Sequence, residues 1–101
     1  MDIVRSDIVR STAGRDAGKL FFVLETEEDF LLLADGKTRK LESPKRKRRK
    51  HTAFVSHGEG RAAEKIRSNE RVTNSELRRT LAAVAGEGNP DQEGCTWQNP
   101  I

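Results

Sequence analysis

The stretch KLFFVLETEEDFLLLADGK, residues 19–37, decides how the rest of the chain is read. It holds two short apolar runs, residues 20–24 and 30–34, separated by Thr26-Glu27-Glu28-Asp29. Each run is too short for a helix and is bounded by turn formers, which fits strands buried on both faces. Asp35-Gly36 follows the second run directly. It is a hairpin signal, because Gly36 can take the positive φ that a tight turn needs. TRKLE, residues 38–42, is then expected to pair back as a short fourth strand.

Upstream, DIVRS occurs twice, at residues 2–6 and 7–11. A repeat this short is no structural unit. The second copy, with Ile8, Val9 and Ala13 ahead of Gly14, is the strand candidate, and the first reads as an N-terminal extension. Gly14 and Gly18 bracket a loop rich in turn formers. Four short antiparallel strands in about 36 residues suggest a small barrel or curled sheet.

Downstream stands a run of six cations, Lys45 to Lys50, behind Pro44. The chain of 101 residues carries a net charge of only +3, but the charge is segregated. Residues 1–36 net −4, residues 37–50 net +8 and residues 51–101 net −1. Concentrated positive charge favours a polyanion, since each neutralised phosphate releases condensed counterions. A solvated linker or a nuclear address are the other readings of such a run.

Beyond the run the pattern changes to helix. GRAAEKIRS, residues 60–68, sets Ala62 and Ile66 at helical spacing. VTNSELRRTLAAV, residues 72–84, opens with a capping box of Thr73 and Glu76, and Val72 and Leu77 stand where a hydrophobic staple lies. Leu77, Leu81 and Val84 share a face. Gly86 is expected to stop this helix, with a disordered tail after it. The expected divisions are therefore an extension at 1–6, a barrel at 7–43, a basic arm at 44–57, a helical segment at 58–85 and a tail at 86–101. A barrel of some 36 residues is small for independent folding. Ile66, Leu77, Leu81 and Val84 could dock on its open side, or the helices could protrude toward a partner.

No enzyme is expected. His51 and His57 lie six apart in polar surroundings, without zinc-ligand spacing. Cys95 is the sole cysteine, so no intrachain disulfide forms, and it reads as an exposed thiol. Gly14 and Gly18 make no phosphate loop, because no Lys-Ser/Thr pair or helix follows. Neither a cofactor nor a metal nor a small-molecule substrate is expected. No apolar run reaches the ~18 residues of a membrane span. The N-terminus lacks signal-peptide layout, so a cytoplasmic protein without membrane contact is expected.

DIVRSTAGRDAGKLFFVLE, residues 7–25, resembles the KOW motif, a strand, a glycine-bearing loop and a second strand. Gly14 falls on the signature glycine of that motif and Gly18 on the glycine that opens the second strand. With ADGK and the basic run in order, residues 6–51 look most like KOW-bearing large-subunit ribosomal proteins of archaeal and eukaryotic type. They are also similar to short bacterial proteins described as KOW-domain RNA-binding proteins. The resemblance implies a mainly β fold, a small SH3-like barrel of four to five antiparallel strands followed by the basic segment and one or two α-helices. It also implies RNA, with ribosomal RNA favoured, and ribosomal proteins as partners. Ser11 departs from the family, which usually has an aliphatic residue there, and this predicts looser packing of the first strand.

The layout of charge indicates how RNA would be held. Arg15 and Lys19 sit at the loop end and Arg10 on the strand, while Lys37, Arg39 and Lys40 lead from the second hairpin into Lys45, Arg46, Lys47, Arg48, Arg49, Lys50 and His51. A rigid element would set position and a flexible basic arm would follow the backbone. Such contacts give affinity and placement with little sequence choice. Phe21, Phe22 and Phe30 read as core, so recognition of RNA shape is expected over base sequence. The alternative is a protein-interaction module of the transcription or translation machinery, since KOW modules bind protein as well as RNA.

Overall fold

Phe21 and Phe22 are neighbours on the chain, and both are fully buried. Successive side chains of a strand point to opposite faces, so this strand needs cover on both sides. The computed structural model, which describes residues 3–85, shows how that cover is supplied. Five strands, β1 (Ile8–Ser11), β2 (Leu20–Thr26), β3 (Phe30–Ala34), β4 (Lys45–Arg48) and β5 (Thr52–Ser56), precede α1 (Arg61–Arg67) and α2 (Asn74–Ala85). The strands form one antiparallel sheet in the order β4-β3-β2-β1-β5, and a 3-10 turn, Arg49–His51, joins its two edges. This is the small barrel-like β fold with C-terminal helices that the sequence implies.

One core lies on the inner face of the sheet. Val9, Phe21, Val23, Leu31 and Leu33 pack there, with Ile3 against them. The other lies on the outer face, where Ile8, Phe22 and Ala34 stand in register across β1, β2 and β3. Against them pack Ala62, Ala63 and Ile66 of α1 and Leu77 and Leu81 of α2. The helices therefore dock on the barrel. Full burial of one large apolar side chain is worth about 1.5–3 kcal/mol, so this second layer supplies what the small sheet lacks. Val84 departs from its expected place on that face and is 40% exposed.

The start of α2 follows its sequence signature. The Thr73 amide donates to Glu76 Oε1 at 3.0 Å, and the Glu76 amide donates to Thr73 Oγ1 at 3.2 Å. Lys65 of α1 also donates to Glu76, at 2.9 Å, and so ties the two helices together. Hydrogen bonds from Lys65 first, then from Thr73, hold the Glu76 carboxyl below its ordinary range.

Three expectations are corrected. TRKLE forms no strand, and Asp35-Gly36 opens a longer connection to β4. The Asp35 carboxylate accepts from the amides of Lys37 and Arg39, both at 2.8 Å, and from the Thr38 hydroxyl at 2.7 Å. Asn74 of α2 accepts from the Leu41 amide and donates to Glu42, which draws 41–42 toward the helix and away from β3. Second, the basic run is no arm outside the strands, because Lys45–Arg48 is β4 and residues 52–56 are β5. Third, residues 3–6 of the first DIVRS copy belong to the fold. Arg5 donates to the Ile66 carbonyl at 2.7 Å and to the Asn69 side chain, fastening the end of α1. Gly86 and the tail lie outside the described residues, as does Cys95.

Gly36 marks a tight approach between the barrel and α2. Its φ is +78°, and a Cβ there would lie 2.2 Å from the Asn74 carbonyl oxygen. Gly18 has φ +91° but nothing within 4 Å of a Cβ. Gly18→Ala should therefore cost about 1 kcal/mol for the backbone alone. Gly36→Ala should cost at least about 1 kcal/mol more, because α2 must also shift. Urea unfolding of the two variants checks this order. Thr73→Ala should cost about 0.5–2 kcal/mol, read as faster amide exchange over residues 74–79.

Candidate nucleic-acid interface

A strand splits a run of like residues between two faces, and β4 does this to the cations. Lys47 stands opposite Leu31 and shares its inner face. Its side chain is 8% exposed, and its ammonium donates to the Ala13 carbonyl at 2.7 Å and to Asp16 Oδ1 at 2.9 Å. Ser11, also buried, donates to Asp16 Oδ1 at 2.8 Å. A buried ammonium survives only when paired and hydrogen-bonded, and the loop between β1 and β2 provides both. Ser11 thus makes a polar contact within the loop, and Ile8, Val9 and Ser11 are all at most 1% exposed.

The outward cations of β4 behave differently. The Arg46 guanidinium lies 3.8 Å from the centroid of the Phe30 ring and is paired with Glu27 at 2.8 Å. Arg48 lies 5.2 Å from the same ring. Phe30, expected as core, is only half-buried, because the helices cover the β1–β2 side of the outer face and stop short of it. Arg49 is held inward by the fold. It donates to the Glu28 carbonyl at 3.0 Å and to the Ile3 carbonyl at 3.2 Å, closing the β2–β3 turn against the N-terminal segment.

Four of the expected binding residues meet at one end of the barrel. Arg15, Lys19, Arg39 and Lys45 line a cleft of about 310 Å³, with Asp16 and Thr38 between them. Gly14 and Gly18, both with positive φ, let the loop turn twice and carry Arg15 and Lys19 to this rim. Lys45 is 3.8 Å from Asp16. Lys37 lines the neighbouring groove beside α2. Arg10, Lys40 and Lys50 are exposed, and His51 is half-buried in the 3-10 turn. The structure thus divides the thirteen expected residues into a rim cluster, a Phe30 cluster, two structural cations and scattered surface charges. Arg78, which the sequence analysis did not single out, donates to the Gly36 carbonyl at 2.8 Å and stands at the rim groove.

Burial pushes the Asp16 carboxyl up. The hydrogen bonds from Lys47 and Ser11, with the charges of Lys47 and Lys45, outweigh it and lower the carboxyl from 3.8 to about 2. Among the described residues, no three His, Cys, Asp or Glu side chains group as a metal site would require. Nor is any helix of those residues long and apolar enough to cross a membrane.

Because the folded-state pKa of Asp16 is below its unfolded value, its contribution to stability is complete above about pH 4. It is lost as pH falls through about 2. Lys47→Met should cost on the order of 2 kcal/mol at neutral pH, below the ~3–5 of a fully buried pair because Asp16 keeps some solvent contact. In that variant the hydrogen bond and charge of Lys47 no longer lower the Asp16 carboxyl, so it should titrate above its wild-type value, as carbonyl-detected NMR between pH 1.5 and 6 would show. An unchanged titration would mean that Lys47 does not set the charge of Asp16.

No protein-family model matches the chain, and no curated protein does so either.

Proposed function

We propose that the chain is a non-enzymatic RNA-binding protein that grips the phosphate backbone with the rim of its barrel. The observation that carries this reading is the convergence of Arg15, Lys19, Arg39 and Lys45 on one cleft, with Asp16 the only acid among its lining residues. Asp16 is itself neutralised by Lys47, so the cleft presents an excess of positive charge. Cations fixed on a rigid sheet and its short loops place a phosphate chain without reading its bases. Ribosomal RNA as the ligand and association with the ribosome are supported by the resemblance of residues 6–51 to KOW-bearing ribosomal proteins, a likeness of motif that carries less weight than the charge.

The geometry also revises how the basic run contributes. Lys47 and Arg49 serve the fold, so the grip passes from the run as a whole to the rim, with Arg48 and Lys50 as outlying charges. A second reading, a protein-interaction module, is favoured by one observation. β4 is an edge strand with a single neighbour, and an extended peptide could add to it.

With about four phosphates engaged, log K against log salt should slope near −3 for single-stranded RNA, at roughly −0.7 per contact. Arg15→Gln, Lys19→Gln and Arg39→Gln together should flatten the slope to about −1 while thermal unfolding stays within about 3 °C, because all three are exposed. The effect should be alike for RNAs of unrelated sequence. Cosedimentation with ribosomes at low and high salt tests the ribosomal part. A triple variant that keeps its slope would remove the rim from the interface, and no RNA binding at all would leave the edge-strand reading in its place.

A further inference from the structure

Beside the phosphate cleft lies a second groove, of about 570 Å³, between the barrel loops and α2. Its floor is apolar, made by Leu20 of β2 and by Leu81, Ala82 and Ala85 of α2. Lys19 and Thr38 line both the groove and the cleft, so the two are continuous. Two further cations, Lys37 and Arg78, border it. The one acid there, Asp35, already accepts three hydrogen bonds from its own turn, which outweigh its burial and hold its carboxyl below the ordinary range.

Resting on the RNA reading above, we infer that this groove receives an unpaired nucleobase of the RNA whose phosphates lie on the rim. The chemistry matches part by part. A phosphate held at Lys19 leaves the adjoining nucleoside within reach of the groove. An apolar floor accepts the flat face of a base, which a duplex would keep stacked inside. The Arg78 guanidinium is fixed by its bonds to the Gly36 carbonyl at 2.8 Å and to Ser75 Oγ at 3.1 Å. A guanidinium plane is a surface on which an unpaired base stacks. The free donors of the lining, the ammoniums of Lys19 and Lys37, sit on long side chains with no fixed direction, so the groove should accept every base. The protein would therefore prefer single-stranded or bulged RNA to a continuous duplex, whatever the sequence.

The test uses the full chain with two probes of equal charge, a short oligouridylate and an abasic ribose-phosphate oligomer of the same length. The wild-type protein should bind the oligouridylate at least about fivefold more tightly, the low end of what stacking one base contributes. Ala82→Glu places a carboxylate in the groove. Ala83→Glu adds the same charge one residue along α2, at an exposed position outside the groove lining. Only the first should erase the preference for bases, and circular dichroism of both should match the wild type. If the two substitutions weaken oligouridylate binding equally, or if the abasic oligomer binds as well as the oligouridylate, the groove holds no base and the phosphate grip alone stands. Failure of the wild-type protein to bind either oligomer would instead overturn the RNA reading and this inference with it.

Discussion

The structure depends on one constraint, that β2 must be buried on both faces at once. Phe21 points into the barrel and Phe22 points out of it, and neither keeps any exposure. A five-stranded sheet curled on itself can cover only the inner residue. The outer one requires a second layer, and α1 and α2 are that layer. Their docking fixes Gly36 against Asn74 and brings Arg78 to the Gly36 carbonyl. The rim, the groove and the two helices are thus parts of one arrangement with a common cause.

Lys47 shows how a binding-type sequence can be used for architecture. A basic tetrapeptide in a strand must turn two residues inward, and inward cations in an apolar barrel are costly. Lys47 meets the cost by spanning the barrel end to Asp16 and the Ala13 carbonyl. Lys45, nearer the rim, stays partly exposed and contributes to the positive cleft. The pairing also gives the serine at position 11 a role. Its hydroxyl completes the hydrogen bonding of a carboxylate that Lys47 has already drawn in.

Much of the fold was legible because apolar runs of the right length have few alternatives. Residues 20–24 and 30–34 are too short for helices and too apolar for loops, and the structure makes them strands. The capping box of Thr73 and Glu76 was equally readable, since its bonds span three residues and need no distant partner. Reading failed where a side-chain contact, near or distant, overrode the strand-like or core-like composition. TRKLE has the composition of a strand, but Asp35 and Asn74 hold it as a loop. Phe30 and Val84 look like core residues, and only the extent of the helical layer leaves them partly exposed.

The rim cluster was half legible. Arg15, Lys19, Arg39 and Lys45 could each be named from the charge pattern, yet thirty residues separate the first from the last. The sequence by itself determined β1, β2 and β3, the helix starts and the segregation of positive charge, because these rest on local periodicity and short-range hydrogen bonds, whereas β4 and β5 lay within what reads as a basic arm. Tertiary structure decided which cations face solvent together, which are spent on the fold, and that a groove opens beside them. Pleat parity and long-range pairing assign a side chain to a face, and neither is written in the spacing of residues along the chain.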